Sequence, residues 1–262
     1  MLLSTVLGRR SSLGLAAAVG LAGARAGAQQ TESLQAGPLQ AWASVLHDHV
    51  DGLGRVDFAA IEANPRPLAE YISYVAATPP DSVPAGAARL GYLINSYNAL
   101  SMQHVIDSGI PRRLSLLDRV RFFKFSQVML GGRQISLYDY ETDIIRPIGD
   151  ARVHFALNCM SVSCPRLPRV PFAAAGLDAQ LDTGARLFFA EPRNLRIEPL
   201  RGVVMVSAIL DFYTADFLRH APSLAAYINL FRTEPVSVAD RVEFLDYDWT
   251  INRQPVVASR PD

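Results

Sequence analysis

The chain holds only two cysteines, in Cys159-Met160-Ser161-Val162-Ser163-Cys164-Pro165, and His154 lies just upstream. Sulfur pairs at this spacing admit four chemistries. A disulfide closes if the chain turns back within Met160–Ser163. So short a loop would gain less than the roughly 3 kcal/mol of a 15-residue loop, and its role would be to fix a local turn. Alternatively, Cys164 is a thiol nucleophile with His154 as its base. A redox dithiol is a third reading, although C-x4-C differs from the C-x-x-C of thioredoxin-like motifs. Zinc on His154, Cys159 and Cys164 is the fourth, but a closed structural site wants a fourth ligand and none is near in sequence.

Two further segments carry polar groups in apolar surroundings. Asn95-Ser96-Tyr97-Asn98 sits inside an apolar stretch. Asn95 and Asn98 are one helical turn apart and share a face. Buried amides must find partners, so the structural reading is that they pin the helix to a neighbouring loop. Val153 to Cys159 reads as a strand. Alternation would put His154, Ala156 and Asn158 on one face. Together these residues outline a polar pocket of Asn95, Asn98, His154 and Asn158. Among the C-terminal acids, Asp211, Asp216, Asp246 and Asp248 have no spacing diagnostic of a glycosidase pair. There is no G-x-S-x-G, no P-loop, no G-x-G-x-x-G after a strand and no H-E-x-x-H. These absences disfavour the common hydrolase, nucleotide-binding and zinc-protease classes.

The elements that must position these groups follow from periodicity. Leu39–Val50 has apolar residues at helical spacing. Asp51-Gly52-Leu53-Gly54 breaks that helix. Asp57 caps a second helix reaching Tyr74, divided at Pro65 and Pro67. Ala87–Ile106 is apolar on most sides, as a helix at a domain centre is. Val120–Leu130 and Arg133–Leu137 flank Gly131-Gly132 as a hairpin. Ser136 caps a short helix running to Arg146. Leu177–Ala190 is helical, with Leu177, Leu181, Ala185 and Phe188 inward. Leu195–Glu198 and Val203–Val206 form a second hairpin. Helices follow at Leu210–His220 and Ser223–Phe231, then a short strand at Val242–Leu245. The pattern predicts a helix-rich α+β domain, with a central buried helix and a small, mostly antiparallel sheet.

The N-terminus has the three parts of an export signal: Arg9-Arg10, the apolar Leu13–Ala24, and Ala26-Gly27-Ala28 before a cut at Gln29. Arg9-Arg10-Ser11-Ser12-Leu13 resembles a twin-arginine signal, with general secretion as the alternative. The predicted organisation is a signal over 1–28, a loose start at 29–37, one globular domain over 38–254 and a loose tail at 255–262. The product would be periplasmic or extracellular, with no transmembrane segment after cleavage. Export favours the bridge for the cysteines, ahead of nucleophile, redox pair and zinc. The mature chain would carry 22 basic and 25 acidic residues, a net charge of −3. Lacking a basic run, it disfavours a nucleic-acid partner. A small molecule, peptide or protein remains as the partner class, and no cofactor is indicated.

Four motifs in order resemble the domain-of-unknown-function 547 family. They are Ile94-Asn95-Ser96-Tyr97-Asn98-Ala99-Leu100, then Val153–Cys159 with Ser163-Cys164-Pro165, then Leu210-Asp211-Phe212-Tyr213 with Asp216-Phe217, and Tyr247–Asn252. The likeness runs over roughly residues 40 to 253. It implies an exported domain and no particular activity. The family's usual Trp-Ile-Asn is Leu93-Ile94-Asn95 here, and its frequent Gly after the first cysteine is Met160. A looser, fold-level analogy is to papain-like and transglutaminase-like domains, which set a central helix against a His-bearing strand. The candidate catalytic residues are His154, Cys164 and Asn98. The candidate binding residues are Asn95, Tyr97, Asn158, Asp211, Tyr213 and Asp248. Two readings stand: a binding or scaffold domain with Cys159–Cys164 bridged, and a thiol-dependent hydrolase or acyl-transferase using Cys164 and His154.

Overall fold

The computed structural model describes residues 37–255. The expected signal, the first part of the loose start, and the tail from 256 onward lie outside the described residues. The chain divides into two compact units, 1–40 and 41–262. Of the first, only 37–40 are described, and they are helical.

In the second unit, residues 41–49 are helical (α1). Phe58–Ala63 (α2) and Arg66–Ala77 (α3) follow, and Pro65 separates them. Asp57 caps α2 by accepting from the Ala60 N–H. The longest helix is Ala87–Asp107 (α4), and Leu90 to Met102 are buried without interruption. Leu116–Val120 (α5) runs into a π-turn at Arg121–Phe125. Strands Gln127–Leu130 (β1) and Arg133–Ser136 (β2) form the first hairpin. Ser136 caps Leu137–Asp139 (α6), which continues as a π-helix over Tyr140–Ile145. Leu177–Ala190 (α7) buries Leu177, Leu181, Ala185 and Phe188. Leu195–Glu198 (β3) pairs antiparallel with Val203–Ser207 (β4). Ile209–Phe212 (α8), Thr214–Phe217 (α9) and Leu224–Asn229 (α10) lead to Arg241–Leu245 (β5), which lies parallel to β4. The class is α+β, as the periodicity predicts. Among the described residues no helix is long and apolar enough to cross a membrane.

The helix expected over Leu210–His220 breaks at Tyr213 into α8 and α9, and the strands form two sheets instead of one. Two further elements differ from expectation. Residues 116–125 are helical, so the strand expected over Val120–Leu130 begins only at Gln127. Ser115 starts them with a capping box, its hydroxyl on the Asp118 N–H and the Asp118 carboxylate on the Ser115 N–H. Local capping there outweighs the β-character of residues 120–125. The second difference bears on the site. Residues Ala151–Phe155 form a 3₁₀ turn, capped by Asp150, and 156–160 are irregular. The predicted strand has no neighbouring strand to pair with.

One side chain takes that neighbour's place. Asn98 accepts from the Asn158 N–H at 2.8 Å and donates to the Ala156 carbonyl at 3.0 Å. An amide side chain thereby makes the two bonds a β-partner would make. One turn earlier, Asn95 does the same to Phe172, accepting from its N–H at 2.9 Å and donating to its carbonyl at 2.7 Å. Gly91, a further turn back, makes the approach feasible. A Cβ there would sit 3.1 Å from the Phe172 oxygen. Gly184 on α7 plays the same part for the 151–155 turn, with the Phe155 oxygen 3.2 Å from its missing Cβ.

Cutting either clamp strands buried backbone groups, each at a cost of about 1–3 kcal/mol. Asn98→Ala should therefore lower unfolding free energy by about 2–4 kcal/mol in urea titration. A loss under about 0.5 kcal/mol, the level of an ordinary surface change, would contradict the clamp.

Candidate functional site

The loop that Asn98 holds carries the two thiols. Asn158 continues the chain of clamps, donating to the Pro165 carbonyl and accepting from the Met160 N–H, both at 2.7 Å. This closes the loop from both ends. Met160 turns it with φ +65°, a left-handed conformation that suits glycine. The residue is fully buried, which offsets the backbone cost. The C-terminal segment then lies along the loop. Val162 N–H donates to Thr250 and Asn252 N–H to Met160, each at 2.8 Å. That register delivers Tyr247 to the sulfurs.

Four groups meet at this point. The sulfurs of Cys159 and Cys164 are 3.1 Å apart. A disulfide bond is about 2.05 Å, so the expected bridge is not formed and both cysteines are free thiols. The Cys164 Sγ accepts from the Cys159 N–H at 3.2 Å. It also lies 3.3 Å from the Ser161 hydroxyl and 3.3 Å from the Tyr247 hydroxyl. Burial alone pushes the Cys164 thiol up. Hydrogen bonds from Cys159, Ser161 and Tyr247 outweigh it and bring the thiol down to about 6. The Cys159 thiol moves the other way, well above its ordinary range, through its bond to Cys164 and its own burial. Cys164 is thus the more acidic thiol of the pair and Cys159 the less acidic one.

A second cluster faces the thiols across a small cavity of about 60 Å³. His154 and Cys164 both line it, with Tyr97, Glu141, Tyr213 and Tyr247. Phe123, Phe212 and Trp249 add apolar walls. The His154 Nε2 lies 3.0 Å from the Asp216 carboxylate, and the ring stacks on Tyr213 at 3.8 Å. Asp216 also pairs with Arg146 at 2.7 Å. Those partners hold its carboxyl below the usual range despite its burial. The His154 Nδ1 is buried with no hydrogen-bond partner. Its closest acid is Glu141, whose Oε1 is 4.0 Å away. Burial lowers His154 to about 4, against the pull of Asp216. The imidazole is therefore neutral, with its proton on Nε2 toward Asp216 and a lone pair on Nδ1. Burial raises the Glu141 carboxyl, although hydrogen bonds from Tyr213 and Tyr97 work against this.

The predicted residues divide cleanly. Cys159, Cys164, His154, Tyr97 and Tyr213 come together at the cavity. Asn95, Asn98 and Asn158 do not line it. Their amides are spent on loop backbone, so the expected polar pocket of asparagines is corrected to a set of clamps. Asn98 is a positioning residue and not a catalytic one. Asp211 is exposed on α8, away from the cavity. Asp248 caps a turn by accepting from the Thr250 N–H at 2.9 Å. No hydrogen bond joins His154 to Cys164, the pair that the thiol-nucleophile reading names; the His154 Nε2 is turned toward Asp216. Glu141, Ser161, Arg146 and Tyr247 were missing from the candidate set. Glu141 had a readable signal. It falls with Leu137, Tyr140 and Ile145 on the buried face of its helix, where a lone carboxylate is out of place. Among the described residues no group of three or more His, Cys, Asp or Glu is arranged to hold a metal ion.

The fold and site together define an α+β domain built around a buried dithiol. Residues 82–189 match the family model described as "Protein of unknown function, DUF547". This bears out the resemblance over α4, the thiol loop and α7. The motifs around Tyr213, Asp216 and Tyr247 lie beyond the matched residues. No curated protein and no solved structure matches the chain.

The lowered His154 has a consequence for stability. The unfolded histidine takes up a proton near pH 6.5 and the folded one only near 4. Between these values the unfolded state binds more protons, so stability falls as the pH drops through that window. The loss should be roughly 3 kcal/mol. Unfolding free energies at pH 6.5 and pH 4, compared between wild type and His154→Gln, check this. Equal acid sensitivity in the two proteins would refute a buried neutral imidazole.

Proposed function

We propose that this chain is an exported thiol-dependent hydrolase or acyl-transferase, with Cys164 as its nucleophile. One observation carries the reading: the Cys164 sulfur accepts from the Cys159 N–H and lies 3.3 Å from the Tyr247 hydroxyl, in a cavity also lined by His154, which Asp216 holds. Donors aimed at a sulfur favour its anion, and the anion is the nucleophile. In this account the Cys164 thiolate attacks the carbonyl carbon of an acyl donor. The C–S bond forms and the bond to the leaving group breaks. The leaving group takes a proton from Glu141, whose acid form burial favours. Water, or an acceptor hydroxyl or amine, then attacks the thioester. His154 Nδ1 removes its proton while Asp216 holds the ring through Nε2. The C–S bond breaks and Cys164 returns to thiolate. The proton passes from His154 to Glu141, 4.0 Å away, and the cycle closes. A cavity of about 60 Å³ fits a short acyl group or one extended chain.

The second reading is a binding domain whose Cys159 and Cys164 are oxidised after export. It is favoured by the 3.1 Å contact between sulfurs, which needs little movement to become a bond. The two readings predict opposite sulfur states in working protein.

The test uses purified protein, reduced or not, given p-nitrophenyl acetate and analysed by intact mass. The expected result is one acetyl group on Cys164, absent from Cys164→Ser and blocked by prior alkylation. His154→Gln should acylate but release the acyl group about 100-fold more slowly. No adduct, or an adduct that survives in Cys164→Ser, would sink the hydrolase reading. Full activity in protein whose thiols are all oxidised would sink it as well.

A further inference from the structure

A pocket of about 400 Å³ takes Val162 of the thiol loop into its lining and shares no lining residue with the Cys164 cavity. Its lining includes four arginines, Arg55, Arg166, Arg193 and Arg253, against a single acid, Glu191. The chain as a whole carries 25 basic and 25 acidic residues, so this local excess is not a general property. The charge count can be followed side chain by side chain. Arg166 and Arg193 both bond Glu191, one to each carboxylate oxygen. That leaves one positive charge over. Arg55 is paired with Asp51 at 2.7 Å. Among the described residues Arg253 meets only backbone, the carbonyls of Ile110 and Pro111 at 3.2 Å. With Asp51 included, the pocket keeps a net charge of +2.

Those guanidinium groups are held in place by the fold. Arg166 donates to the Gly52 carbonyl at 3.1 Å. Arg193 donates to the carbonyls of Val162 and Cys164. Each fork still has N–H groups that no atom of the described residues takes: Nη2 of Arg166 and Arg193, Nη1 of Arg55, and Nε and Nη1 of Arg253. Pre-positioned forks with spare donors recognise planar or tetrahedral oxyanions through paired hydrogen bonds. Glu191 already shows the mode, one carboxylate shared between two forks. Clustering like charges without a counter-ion costs energy, which an incoming anion would recover.

We propose that this four-arginine pocket binds an oxyanion, the carboxylate or phosphate of a small ligand whose apolar part rests on Leu53 and Pro192. The proposal stands apart from the thiol chemistry and does not need it. Two sources share the chemistry, a peptide C-terminus and a phosphate.

Calorimetry on the full protein separates them, using an N-acetylated tripeptide acid, the matching C-terminal amide, and inorganic phosphate. The expected result is binding of the acid or of phosphate and none of the amide. Affinity should fall at least about tenfold in Arg55→Gln/Arg253→Gln. Neither substituted residue contacts the thiol loop's carbonyls. Arg253→Lys alone, which keeps the charge and loses the fork, gives a second variant should the double one misfold. It should also weaken binding several-fold. Acid and amide binding alike, no binding of either oxyanion at millimolar concentration, or unchanged affinity in the variants would overturn the proposal. Acetylation of Cys164 that proceeds normally while the pocket fails, or the reverse, tells the two proposals apart.

Discussion

Two asparagines on one helix face hold the whole arrangement. Asn95 and Asn98 each give an amide to a stretch of chain that has no strand beside it. In a buried region every backbone N–H and carbonyl needs a partner. A sheet would supply partners in series. Here single side chains do so at two points, and the chain between them is free to take an irregular path. That path includes a left-handed methionine and the approach of two sulfurs to 3.1 Å. The buried polar groups of α4 therefore do not open a pocket. They allow one to be built a few residues away.

The chemistry follows from what the clamped loop forces together. Two thiols, a serine hydroxyl and a tyrosine hydroxyl meet in a largely buried volume, so the cluster must resolve its own protons. Taking a charge out of water is costly unless it is hydrogen-bonded. The Cys159 N–H and the neighbouring Tyr247 hydroxyl serve that end at Cys164, and Cys159 is the less acidic partner. The same logic orders the facing cluster. Arg146 neutralises Asp216, Asp216 orients His154, and the imidazole stays uncharged. The two clusters touch the same cavity without bonding to each other, and this leaves space there for a third party.

The sequence disclosed the frame better than the site. The 3.6-residue period of α4 and α7, the hairpin at Gly131-Gly132 and the caps at Asp57 and Ser136 were all legible, because each depends on neighbours within one turn. Asn95 and Asn98 were legible as structural pins for the same reason. The strand read into 153–159 failed because alternation in one segment says nothing of whether a partner strand exists. Glu141, Arg146 and Tyr247 were overlooked as site residues because they arrive from distant segments. Tyr247 is more than 80 positions from the sulfurs it contacts, and only the pairing of the C-terminal segment with the thiol loop sets that register. The expected export signal shifted the reading toward a bridge, whereas the sulfurs are free thiols 3.1 Å apart, placed to share one proton.

That shared proton is the centre of the account, and thiolate absorbance in the ultraviolet measures it directly. Reduced protein should gain one thiolate per chain as the pH rises through about 6, and no second one through the mildly alkaline range. Cys164→Ser should abolish the low step, leaving Cys159 protonated. Two thiolates appearing together near the ordinary thiol range, or a low step that persists in Cys164→Ser, would contradict it.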